Sequence, residues 1–294
     1  MNCQEIDLAS DVPVEKKLDF KALREELLVA NGNSTQKKNK HVSKEKMKNL
    51  EILRTELKQL EDPPVSKSEK DLMSARLEFS FFNKPCKELA ICLLGKIFVR
   101  QLENGTILKG RIVETECYIG AVDKASITYD YRISSRTLPL YMPPGTIYVY
   151  STYGMYHCLN ISSQGDGCAV LIRAIEPIEG FEQMSDNRNM RTKSLKRAKK
   201  EFKIHELCNG PAKLCMAYSL TKVHSKYSLC SWRGLWIEND NSSQEKFQVV
   251  HCKRIGIEKC DPTWANKPLR FYIYNNISVT KQDKEVEKQF LTTN

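Results

Sequence analysis

The residues that could do chemistry gather between Gly110 and Asn160. The first part of this stretch reads GRIVETECY. Strand alternation sets Glu114, Glu116 and Tyr118 on one face, with Arg111, Val113, Thr115 and Cys117 on the other. An acid thus stands beside an aromatic ring. The second part reads GTIYVYSTYGMYHCLNIS, two period-2 runs (Ile147 to Thr152, His157 to Ile161) joined at Tyr153-Gly154-Met155-Tyr156. That pattern is a β-hairpin with an exposed aromatic tip. No metal-ligand spacing accompanies it, and neither a metal nor another cofactor is expected.

These residues need a scaffold, and the flanking sequence supplies one. A helix opens at Pro85, with Cys86, Leu89, Ala90 and Leu93 on its apolar face and Gly95 ending it. A strand from Lys96 to Gln101 turns at Asn104-Gly105 into the strand carrying Glu116. Ala169 to Ile175 is another apolar strand, and Lys246 to Cys252 and Leu269 to Tyr274 are two late ones. Asn209 as cap, with Pro211 in the first turn, starts a helix running to about Leu220. Residues 186–203 are dense in Lys and Arg and of mixed helical promise. The expected fold class is α+β: a single mixed domain with a curved antiparallel β-sheet core, flanking helices and a protruding hairpin.

The expected boundaries are a largely disordered, partly helical extension over 1–75, the folded domain over 76–282 and a tail over 283–294. The extension has few aromatics, a polar NGNSTQKKNK linker and a breaking Asp62-Pro63-Pro64. Leu50, Leu53, Leu57 and Leu60 follow one helix face, as Leu23 and Leu27 do more weakly. A transient helix and a partner-docking segment both fit so short a pattern. The stretch KKNKHVSKEKMK reads either as a nuclear import signal or as solvated charge.

The chain has 294 residues and a formal net charge of +10, nearly all of it beyond residue 70. Positive charge on the folded part suits a polyanion bound by counterion release. Nucleic acid is the natural partner, although a Lys-rich surface also serves solubility alone. The 11 cysteines are odd in number, without a CxxC pair or an N-terminal apolar leader. Free thiols in a reducing compartment are expected. No apolar run reaches the roughly 18–20 residues of a membrane span, and a soluble intracellular protein is expected.

The segments LLGKIFVR, GRIVETECYIG, PPGTIYVYSTYGMYHCLNISSQGDG, LIRAIEPIEG, LCNGPAKLC and NKPLRFY together resemble the alkyladenine DNA glycosylase family, monofunctional enzymes that cut damaged purines from DNA. The similarity runs from about Arg76 to about Ser278. It implies an enzyme that takes one nucleotide out of the duplex and hydrolyses its N-glycosidic bond, which calls for a wedge, a flat-walled pocket and a catalytic group at its floor. By that resemblance Glu116, the second acid of the ETE triplet, is the general base, and Arg173 helps to hold the water and the flipped nucleotide's phosphate. Tyr118 and Tyr150 sandwich the base, Asn160 and Leu171 line the pocket, and Tyr153 intercalates. Taken alone, strand tyrosines are more often core, a lone strand glutamate is more often solvated, and a tip tyrosine packs on its own domain as readily as it enters a groove. Arg132, Met155 and Lys213 are candidates for the DNA backbone, with ordinary surface chemistry the alternative.

One departure from the family stands out. Ile127 occupies the place of a histidine that donates a hydrogen bond to the damaged base, and isoleucine can donate nothing. The implied substrates are 3-methyladenine and 7-methylguanine in double-stranded DNA, with hypoxanthine a further candidate and substrate range in question at Ile127. No lysine falls at a nucleophile position, which speaks against a Schiff-base lyase. The competing readings are a catalytically weak damaged-DNA-binding protein of the same fold and an RNA-binding module. A monomer in the nucleus, with a mitochondrial fraction allowed and protein partners on the N-terminal extension, completes the expectation.

Overall fold

Asn104-Gly105 turns the chain as its residue types demand: Gly105 adopts a φ of 84°, which a residue with a Cβ rarely tolerates. Strand β1 (Ile97–Gln101) therefore returns as β2 (Ile107–Ile119), antiparallel, with Val99 opposite Lys109. The computed structural model describes residues 24–25, 58–62, 66–152, 154–193, 199–241 and 247–292. Among these residues one antiparallel sheet of eight strands forms the body of the protein. Its other strands are β3 (Ile147–Thr152), β4 (Tyr156–Ser162), β5 (Cys168–Glu179), β6 (Leu235–Glu238), β7 (Val249–Cys252) and β8 (Arg270–Ile273).

The order β3-β4-β5-β2-β1-β6 puts β2 near the middle, and β8, itself paired with β7, joins β2 beside β1. Being central, β2 is buried continuously from Ile112 to Cys117. The expected alternation holds within that burial. Thr115 Oγ1 donates to the Ala90 carbonyl at 2.8 Å, so its face packs on the helix that carries Leu89, Ala90 and Leu93, all fully buried. The opposite face is left to Glu114, Glu116 and Tyr118.

The helices are α1 (Lys67–Leu72), α2 (Phe79–Phe82), α3 (Cys86–Cys92), α4 (Phe181–Lys193), α5 (Pro211–Ala217), α6 (Pro262–Ala265) and α7 (Lys284–Thr292). Helix α3 begins behind Pro85 as its sequence predicts. Helix α5 differs from the expectation. Gly210, one position later than expected, is its N-cap and has no side chain with which to cap, while the Asn209 carboxamide oxygen accepts from Lys213 Nζ at 2.7 Å. The helix stops at Ala217, short of Leu220, where Ser219 turns to a φ of 52°. Helix α4 takes up the first half of the basic stretch whose helical promise was mixed.

Structure also begins ahead of residue 76. Ser66 and Glu69 form a reciprocal capping box on α1, and Glu69 reaches Arg233 at 3.2 Å. These paired polar contacts give order to a segment with too few apolar residues to signal it. Leu60 bridges Tyr227 rather than extending a leucine-faced helix; Leu23, Leu27, Leu50, Leu53, Leu57 and the basic stretch at 37–48 lie outside the described residues. At the other end, Glu287 of α7 is buried and accepts from the Tyr272 hydroxyl at 3.0 Å, which fastens the C-terminal helix to β8.

Candidate active site

The strand registers bring distant residues into one row. Glu116 lies opposite Leu171, Leu171 opposite Asn160, and Asn160 opposite Tyr148, so four neighbouring strands present these side chains on one face. Near Glu116 the β2–β5 ladder slips twice: Ile112 pairs with Ile175, Glu114 with Ala174, and Thr115 with Ile172. Val113 is thus an extra residue on β2 and Arg173 an extra residue on β5. Paired bulges of this kind bend both strands locally and re-aim a side chain. Here the re-aimed side chain is Arg173.

Arg173 spans both acids, with Nε 3.1 Å from Glu114 Oε1 and Nη1 3.2 Å from Glu116 Oε1. Glu114 also receives Arg270 Nη1 at 2.7 Å. Glu116 is fully buried, yet its carboxylate is met by further donors: the Ile255 amide at 2.8 Å on Oε1 and the Tyr118 hydroxyl at 2.8 Å on Oε2. Burial pushes its carboxyl above the usual range, opposed by Arg173, the Ile255 amide and the Tyr118 hydroxyl, while Glu114 adds to the rise. The Tyr118 hydroxyl is pushed well above its usual value by burial and by Glu116, and so remains a donor. A carboxylate held this way is buried and fixed in orientation by three donors.

The rings stand next to the acid. Tyr118 and Tyr150 pack against a small cluster of Leu140, Tyr148 and Ala169. Arg254 lies over the Tyr118 ring, 4.6 Å from its centroid, and is fixed by a fully buried ion pair with Asp123. Asn160 is buried and turns its amide to the Cys158 carbonyl at 3.2 Å. Leu171 is buried beside it.

The structure therefore gathers Glu116, Arg173, Tyr118, Tyr150, Asn160 and Leu171 on one part of one face. The remaining candidates are more scattered. Ile127 is 37% exposed, on a turn whose flanking Ser126 and Thr128 are buried and bonded to each other at 2.7 Å. Arg132 is exposed, and its carbonyl accepts from the Tyr141 hydroxyl. Met155 is exposed at the hairpin tip, while Tyr153 lies outside the described residues. Lys213 is tied to Asn209, and its ammonium is lowered by partial burial and by the nearby cations Arg188 and Lys200.

Sequence reasoning missed the Ile255 amide, Arg270 and the Asp123–Arg254 pair. A backbone donor leaves no signature in residue type, and the two arginines lie more than 130 positions from their carboxylates. Among the described residues no group of three or more His, Cys, Asp or Glu side chains could hold a metal ion.

Comparison with known proteins shows the family. The family Methylpurine-DNA glycosylase (MPG) matches residues 80–277. The chain is 43% identical over 213 residues to the DNA-3-methyladenine glycosylase of Homo sapiens, covering 72% of this chain and 70% of the human protein. It is 44% identical over 213 residues to the Putative 3-methyladenine DNA glycosylase of Clostridium perfringens (strain SM101 / Type A), covering 70% of this chain and 100% of the bacterial one. A protein of the same description from Clostridium tetani (strain Massachusetts / E88) is 45% identical over 209 residues. This chain belongs to the methylpurine-DNA glycosylase family. It is a DNA glycosylase, a hydrolase of the N-glycosidic bond.

Proposed function

We propose that the enzyme flips alkylated purines out of duplex DNA and releases them by hydrolysis, with 3-methyladenine and 7-methylguanine as its main substrates and hypoxanthine as a further one. The observation that carries this reading is the fully buried Glu116 carboxylate, bonded to Tyr118 and Arg173 in the row that also holds Asn160.

In this mechanism the damaged base stacks between Tyr118 and Tyr150, each ring contributing about 1–3 kcal/mol of stacking, and Tyr153 fills the gap left in the duplex. Glu116 takes a proton from a water as its oxygen bonds to C1′ of the sugar. The C1′–N bond breaks, its electron pair leaves with the base, and an abasic site remains. A cationic base is a good leaving group, so the carboxylate's remaining task is to stabilise the oxocarbenium-like sugar. Arg173 holds Glu116 ionised and in place, and the Asn160 amide walls the pocket. Arg132, Met155 and Lys213 contact the DNA backbone. The enzyme acts as a monomer in the nucleus.

The test is release of free base from defined duplexes bearing 3-methyladenine, 7-methylguanine or hypoxanthine. Damage-selective binding without base release would replace the enzyme by a damage-binding protein. Binding indifferent to damage would sink both.

A further inference from the structure

Each pocket tyrosine carries a guanidinium over its ring, and the two guanidinium groups differ in how their charge is balanced. Arg254, over Tyr118, pairs with Asp123 through two nitrogens and also donates to the Cys117 carbonyl at 2.9 Å. Its charge is cancelled where it stands. Arg136 lies closer to its ring, 4.2 Å from the Tyr150 centroid, and donates from Nη2 to the Ser151 carbonyl at 2.8 Å. The acids around the pocket are otherwise committed: Glu114 to Arg173 and Arg270, Glu116 to Arg173, Asp123 to Arg254. Arg136 is exposed and joins none of these pairs among the described residues.

We propose that Arg136 is a specificity-determining residue of this site, whose uncancelled charge over Tyr150 disfavours a lesion carrying a formal positive charge relative to a neutral one. The proposal rests on the reading of Tyr150 as a base-stacking ring. An aromatic face attracts a cation through its quadrupole. A ring already engaged by a guanidinium has less of that attraction to offer, and the second cation also meets like charge at short range in a partly desolvated pocket. A neutral purine stacks without either penalty. Arg254 exerts no comparable bias, because Asp123 neutralises it.

The experiment compares single-turnover release of 7-methylguanine, which is cationic, with that of hypoxanthine, which is neutral, at one salt concentration. Arg136→Gln keeps a planar donor for the Ser151 carbonyl and removes the charge, whereas Arg136→Lys keeps the charge. In Arg136→Gln the ratio of the 7-methylguanine rate to the hypoxanthine rate should rise about two- to fivefold, the range of an exposed cation–π contact. Arg136→Lys should stay near the wild-type ratio. Equal loss on both lesions with a shallower salt dependence would make Arg136 a phosphate contact and overturn the proposal. An unchanged ratio in an active enzyme overturns this inference alone; a wild-type enzyme that releases neither base overturns the reading of the site and this inference with it.

Discussion

The Tyr118 hydroxyl donates to Glu116 Oε2 at 2.8 Å, so the ring proposed to stack the base and the acid proposed to take the proton form one bonded unit two residues apart on β2. Whatever positions the ring also positions the carboxylate, and the hydroxyl favours the charged form of the acid it touches.

That bond has a measurable pH signature. Glu116 must be ionised to accept a proton, and burial raises its carboxyl above the ordinary value of about 4.5, so the acid limb of kcat/KM should lie above that pH. Tyr118→Phe keeps the stacking surface and removes a donor to the ionised form, which should move the limb further up. A pH–rate profile of both proteins checks this. A limb that stays put or moves down would separate the hydroxyl from the titration.

Glu116→Gln should abolish base release while leaving affinity for an abasic-site duplex nearly intact, since shape and most hydrogen bonding survive. Retention of even about a tenth of the rate, a loss of only ~1.4 kcal/mol in barrier terms, would mean that another group is the base.

The neighbouring acid makes a poor inert control, although its place on the strand suggests one. Glu114 is buried between Arg173 and Arg270. Glu114→Gln should therefore lower stability, by about 3 kcal/mol if it behaves as other broken buried pairs do, and loosen Arg173. Denaturant midpoints of the two glutamine variants should differ, with Glu114→Gln the less stable.

Tyr153→Ser should weaken capture of flipped nucleotides more than general DNA binding, because a wedge is lost while phosphate contacts remain. Affinities for damaged and undamaged duplex at one salt concentration decide the matter. Equal loss on both would point to packing at the hairpin tip.

Ile127 offers no hydrogen bond to a base. A neutral lesion such as ethenoadenine relies on such bonds more than a cationic one, and a missing donor to a buried acceptor costs about 1–3 kcal/mol. The enzyme should be poor on ethenoadenine, and Ile127→His should raise its rate selectively against 7-methylguanine. An unchanged ratio of single-turnover rates would mean that the loop reads the lesion through another group.

The parts of this fold legible in the sequence are those with local causes. Asn104-Gly105 marked its hairpin, Pro85 its helix, and the alternation around ETE put Glu114, Glu116 and Tyr118 on one face. Signals that depend on partners far along the chain were silent. β6 has four residues, too few to show a period, and exists because the edge of β1 lies open to it. The expected Asn209 cap is absent because the helix starts one residue later, behind Gly210, and the Asn209 side chain bonds Lys213 instead. The paired bulges that aim Arg173 follow from register between strands, which no single strand records.

The acid's surroundings are drawn from far-apart stretches of chain: Arg173 comes from β5, and the Ile255 amide is 139 positions beyond Glu116. Contacts of such sequence separation form late, because loop closure must precede them. During synthesis the ETE strand and the β3–β4 hairpin emerge long before residue 255, so Glu116 meets its backbone donor only after most of the sheet has left the ribosome. The buried acid pair is fully bonded only once Ile255 and Arg270 have joined it.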